Sequence, residues 1–166
     1  VSEIMIVSIA SLAALPLPIL PLQILFLNLV TDVFPALALG VGEGDTQTMK
    51  KPPRDPKEPI LTSQNWLAIG GYGVMMTLSV IGALMIALIW VGMEEEQAVS
   101  VSFLTLAFVQ LWHVFNMRDR GSGFIRNDIT RNPFIWGALG LCTVLLLSAV
   151  YIPAFARVLR VVEPGK

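Results

Sequence analysis

Apolar residues run through this chain in blocks long enough to cross a bilayer, and the polar residues collect between the blocks instead of alternating with them. Spanning a hydrocarbon core takes about 20 predominantly apolar residues. Segments 22–39, 65–93, 98–117 and 132–153 each reach that size and predict a membrane-crossing helix. Segment 1–15 is apolar but short, and its uninterrupted part reaches only roughly 18 Å at 1.5 Å per residue, so it reads as the end of a truncated transmembrane helix. Between the spans lie two short turns, 16–21 and 94–97, and two polar loops, 40–64 and 118–131; residues 154–166 read as an extracytoplasmic tail leading to a missing helix. The pattern predicts an all-α, polytopic transmembrane helical bundle of about four full spans plus a partial first helix.

The loops also predict which way the bundle faces. Lys50, Lys51, Arg54 and Lys57 lie in the first loop and Arg118, Arg120, Arg126 and Arg131 in the second, eight of the eleven basic residues, while turn 94–97 holds Glu94, Glu95 and Glu96. The positive-inside rule makes loops 40–64 and 118–131 cytoplasmic and turns 16–21 and 94–97 extracytoplasmic. Tryptophans, which prefer the interface, agree: Trp66, Trp112 and Trp136 fall near the cytoplasmic ends of their spans and Trp90 near the opposite end. Prolines 52, 53, 56 and 59 keep the first loop from being helical throughout, and it reads as an extended, fairly stiff segment.

Composition narrows the function. The chain is 55% hydrophobic and 14% charged over 166 residues, against about 25% charged for soluble domains. A net charge of −1 and the lack of a basic run with interleaved aromatics argue against nucleic-acid binding. Cys142, the single cysteine, sits in an apolar run and reads as a small buried side chain. The first residues lack the basic region of a signal peptide, and Val1 is not a methionine, which argues against a natural start.

Within the span 22–39 stand Asn28, Thr31 and Asp32. An aspartate at the centre of a membrane helix is disfavoured by at least about 2.5–3.5 kcal/mol, so Asp32 signals function. The spacing i, i+3, i+4 brings the three side chains onto one helical face. Pro35 has no N–H, which predicts that the carbonyl of Thr31, four residues back, loses its helical partner and is free to bind something else. Amide, hydroxyl, carboxylate and carbonyl oxygens are hard ligands suited to calcium, magnesium, manganese or alkali ions. The competing reading has Asn28 and Thr31 bonding a neighbouring helix while Asp32 is protonated or paired. Position alone makes Glu3 a solvated chain end, Gln110 a helix-to-helix hydrogen bonder and His113 an interfacial side chain.

The run from Pro21 through Gln23, Asn28, Thr31 and Asp32, followed by Pro35-Ala36-Leu37-Ala38-Leu39-Gly40, resembles the sixth transmembrane helix of the P-type calcium pumps. The stretch Met49-Lys50-Lys51-Pro52-Pro53-Arg54-Asp55-Pro56-Lys57-Glu58-Pro59-Ile60 is similar to their loop between helices six and seven. By this resemblance the segment before Pro16 is the end of helix five and the remaining spans are helices seven to nine. It implies that Asn28, Thr31 and Asp32 coordinate the transported cation, that Glu3 is the fifth-helix glutamate, and that Gln110 stands where the eighth helix of the reticulum type carries another glutamate. Asparagine at position 28, where sodium/potassium and proton/potassium pumps generally carry aspartate, tilts the reading to Ca2+, with Mn2+ or Na+ as alternatives.

The resemblance also implies what lies elsewhere. The family's Asp-Lys-Thr-Gly-Thr phosphorylation motif, its nucleotide-binding domain and its first four helices are not in this sequence, so ATP and Mg2+ would act through other domains and this chain alone would not hydrolyse ATP. Its partners would be the lipid bilayer and the amino-terminal helices and cytoplasmic domains of the same pump. The expectation is therefore a fragment contributing part of an ion site, with the later spans as scaffold and lipid boundary. The alternative is an independent small cation channel or a secondary-transporter subunit, in which the same cluster selects ions without ATP.

Overall fold

A computed structural model describes residues 2–41, 61–117 and 128–162 of the chain. The described residues form helices joined by turns, with no strand among them. Helix α1 is Ser2–Leu12, α2 Pro21–Val41, α3 Ser63–Val91, α4 Glu95–Met117, α5 Asp128–Arg131, α6 Pro133–Tyr151 and α7 Pro153–Leu159. Four of them, α2, α3, α4 and α6, are long and apolar enough to cross a membrane. The Pro/Lys stretch of the first loop, and Arg118, Arg120 and Arg126 of the second, lie outside the described residues.

Local chemistry explains the helix ends. Pro21, Pro133 and Pro153 each open a helix, where a missing N–H is harmless and the fixed φ is already helical. Thr62 caps α3 by accepting from the Asn65 N–H, and Asn132 caps α6 by accepting from the Phe134 N–H at 2.9 Å. At the other end of α3, Gly92 takes φ +70°, a left-handed conformation that closes the helix. The segment expected as a tail contains α7: Ile152 breaks helix α6 and Pro153 starts a new one that turns back onto the beginning of α2.

The bundle is built around α4. Half of its apolar window is buried inside the protein, against 22% for α3 and 28% for α2. Its buried face carries Ala98, Ser100, Ser102 and Ala107, small residues that let neighbouring backbones approach closely. The central cluster takes Ile6 from α1, Leu27 and Val30 from α2, Val80 from α3, Phe103, Leu106 and Leu111 from α4, and Cys142 and Leu146 from α6. Hydroxyls inside the bundle turn back on their own helices, as Thr77 does to the Gly73 carbonyl at 2.7 Å and Ser102 to the Ala98 carbonyl at 3.0 Å. Outward-facing Leu67, Met75, Ile89 and Trp90 are exposed, an apolar surface that fits hydrocarbon and not water.

Candidate ion-binding site

Helix α2 is not a regular α-helix. Between Asn28 and Val33 it widens into a π turn, in which each carbonyl bonds the N–H five residues ahead. Pro35 supplies the cause, because its ring would collide with the carbonyl four residues back and it offers no N–H. Widening the turn just before the ring relieves that collision. It also changes which carbonyl the proline deprives: in the i→i+5 pattern residue 35 would serve Val30, not Thr31. The Val30 carbonyl is instead met by Cys142 of α6, whose thiol donates to it at 2.9 Å. Cys142 is fully buried, as its apolar setting predicts, but it is also a hydrogen-bond donor to the break in α2.

The five residues singled out from the sequence, Glu3, Asn28, Thr31, Asp32 and Gln110, all line one open cavity of about 780 Å³ between α1, α2, α3 and α4. Thr31 is buried, Asn28, Glu3 and Gln110 are half-buried, and Asp32 is exposed on the cavity wall. Three of them are linked. The Thr31 hydroxyl lies 2.9 Å from the Leu27 carbonyl and 3.0 Å from Gln110 Oε1, so its one proton is shared between two acceptors. Gln110 Nε2 in turn donates to Glu3 Oε1 at 3.3 Å. Gln110 is thus both a helix-to-helix hydrogen bonder and a cavity residue, joining α4 to α1 and α2. Glu3, which position alone makes a solvated end, faces the same space as Asp32.

The donor set is two carboxylates, two amide groups and a hydroxyl. Among the described residues no three His, Cys, Asp or Glu side chains come together, so neutral oxygens supply the rest of the cavity's polarity. Such a mixture is suited to hard cations and unsuited to zinc or copper.

Two further polar residues, one on the cavity and one away from it, gain partners that position alone did not give them. His113 of α4 lines it too, with its Nδ1 3.2 Å from Asn116 Nδ2 and its ring edge-on to Tyr72 of α3 at 4.7 Å. Gln23 carried only sequence likeness. It is fully buried and clamps the start of α2: its Oε1 accepts from the Leu20 N–H at 3.0 Å, and its Nε2 donates to the Leu159 carbonyl of α7 at 3.0 Å. A polar residue in an apolar run was the available signal, but its partner lies 136 positions away.

A family model described as "Cation transporting ATPase, C-terminus" matches residues 16–165. The chain is similar to the "Calcium-transporting ATPase" of Bacillus subtilis, at 35% identity over 99% of this chain and 19% of that protein. It is similar to the "Calcium-transporting ATPase 1" of Bacillus cereus, at 29% identity over 96% of this chain and 20% of that one. A shorter likeness, 48% identity over 40% of this chain and 5% of the relative, is to the "P-type sodium-transporting ATPase4" of Toxoplasma gondii. The chain thus spans about a fifth of the length of the first two relatives. With four membrane-length apolar helices in an all-α bundle and a family match over nearly its whole length, the chain belongs to the P-type cation-transporting ATPases, as the multi-pass C-terminal membrane region of such a pump.

Proposed function

We propose that this chain forms part of the ion-binding membrane domain of an ATP-driven pump, and that the transported ion is Ca2+. The observation that carries the reading is the convergence of Glu3, Asn28, Thr31, Asp32 and Gln110 on one cavity beside the π turn of α2. Two carboxylates bring a charge of −2, which a divalent cation neutralises, and that neutralisation offsets the disfavour of ionised groups at membrane depth. Calcium takes about 6–8 oxygens, so other segments of the pump or water would complete the shell. ATP and Mg2+ act in cytoplasmic domains outside this chain, loops 40–64 and 118–131 face those domains, and phosphorylation there alternates the site between inward-facing binding and outward-facing release.

Relatives named as calcium-transporting support Ca2+ as cargo. A sodium-transporting relative, more alike over a shorter stretch, supports Na+ as the second reading. Replacing Asp32 by Asn in the full-length pump tests the site. Ion-dependent phosphorylation by ATP should fall steeply while phosphorylation from inorganic phosphate survives; an unchanged ion dependence defeats the assignment. The same assay run with Ca2+, Mn2+ and Na+ decides the cargo.

A further inference from the structure

The ion-site helix is held at three levels by one neighbouring unit. At its start, Gln23 donates to the Leu159 carbonyl of α7; at the π turn, the Cys142 thiol of α6 donates to the Val30 carbonyl; near its end, Asn132 Nδ2 at the head of α6 donates to the Ala38 carbonyl at 3.0 Å. Each bond ties a side chain of one unit to the backbone of the other, and backbone contacts fix axial register more firmly than apolar packing does. From the sequence α6 reads as scaffold and lipid boundary, yet these bonds bear on the helix that carries Asn28, Thr31 and Asp32.

The middle bond is the informative one. Val30 immediately precedes Thr31 and Asp32, and its side chain is buried, as is Cys142. In the i→i+5 pattern of the π turn this carbonyl would be served by residue 35, a proline with no N–H to give, and no water lies in a bilayer core to replace it. Left alone, the turn would relax towards whatever geometry gave Val30 a partner, and the side chains one and two residues on would move with it. We propose that Cys142 is a positioning residue for the ion site: its thiol satisfies the carbonyl that Pro35 orphans and so locks the π turn in the register that points Thr31 and Asp32 into the cavity. The proposal rests on the ion-site reading above and makes α6 a working part of that site.

The experiment uses the full-length pump and reads the half-saturating concentration of Ca2+ for phosphorylation by ATP, with phosphorylation from inorganic phosphate as the measure of folded protein. Removing the thiol in Cys142→Ala leaves a buried carbonyl unpaired, and half-saturation should rise about 10-fold at near-normal maximal phosphorylation. Cys142→Ser keeps a donor and should stay within about threefold of the parent, a rescue that loss of side-chain volume alone does not explain. Pro35→Ala supplies residue 35 with an N–H and should make the thiol redundant, so that adding Cys142→Ala to it shifts half-saturation by less than about twofold. Equal shifts in Cys142→Ala and Cys142→Ser, no shift in either, or full additivity with Pro35→Ala each overturn the proposal. If Cys142→Ala does not fold, a shift in Cys142→Ser beyond about threefold overturns it and a normal value supports it. Asp32→Asn, assayed alongside, separates the two readings: loss of ion dependence there with no response at Cys142 removes only the positioning role.

Discussion

Among the described residues two helices widen into π turns, and only one of these turns sets polar side chains on a cavity wall. In α2 the turn covers Asn28–Val33, and in α3 it covers Ile86–Val91. The α3 turn closes on its own chain: Gly92 adopts the left-handed conformation, and the Met93 N–H reaches back to the Ala87 carbonyl at 2.9 Å. Its side chains are apolar, with Ile86, Ile89 and Trp90 exposed on the outer surface. The α2 turn cannot close on itself, because Pro35 lies where the next donor should be, and its polar side chains face a cavity shared with α1 and α4. A π turn is therefore not a site by itself. On the reading proposed above it becomes one where a proline takes the place of a local donor and hydrophilic side chains stand on the same face.

That contrast can be broken from either side. After Asp32, the largest effect is expected at Thr31, whose hydroxyl both faces the cavity and meets Gln110. Thr31→Val keeps the shape and should raise half-saturation by Ca2+ about 30-fold, since an unmet buried polar partner costs about 1–3 kcal/mol and each 1.4 kcal/mol is tenfold. A shift below threefold would place ion binding away from the α2 turn. At the α3 turn the expected change is in stability. Gly92 sits at φ +70°, so Gly92→Ala should destabilise the detergent-solubilised pump by about 1 kcal/mol, seen as a lower midpoint of thermal inactivation, while half-saturation stays at the parent value. A change in ion affinity there would make the α3 turn functional. The smallest effect is expected at Ile89, exposed on the same turn, where Ile89→Ala should alter stability by no more than about 0.5 kcal/mol and leave transport unchanged.

The membrane helices were legible because hydropathy acts residue by residue: each block of apolar side chains predicts burial in lipid whatever the other helices do. The convergence of Asn28, Thr31 and Asp32 was legible for the same local reason, since spacing along one helix sets which face a side chain occupies. Pro35 announced a broken ladder but not which oxygen it would expose. The expected carbonyl was that of Thr31, four residues back; in the widened turn residue 35 stands opposite Val30 instead, and it is the Val30 carbonyl that another helix meets. Cys142 makes that contact from 112 positions away, and nothing near it in the chain announces a donor. Gln110 shows the intermediate case, for its place in mid-span marked it as a helix-to-helix hydrogen bonder, while its two partners come from α1 and α2.

What the sequence by itself determined is the number of apolar spans, their order and the presence of an ionisable group inside one of them, because these follow from the transfer of individual side chains between water and hydrocarbon. What only the tertiary structure decided is the cavity that joins Glu3 and Gln110 to Asp32, and the thiol that meets the Val30 carbonyl. Hydrogen bonds between helices are contracts between distant positions, and their partners are chosen by packing in three dimensions, which no local pattern encodes.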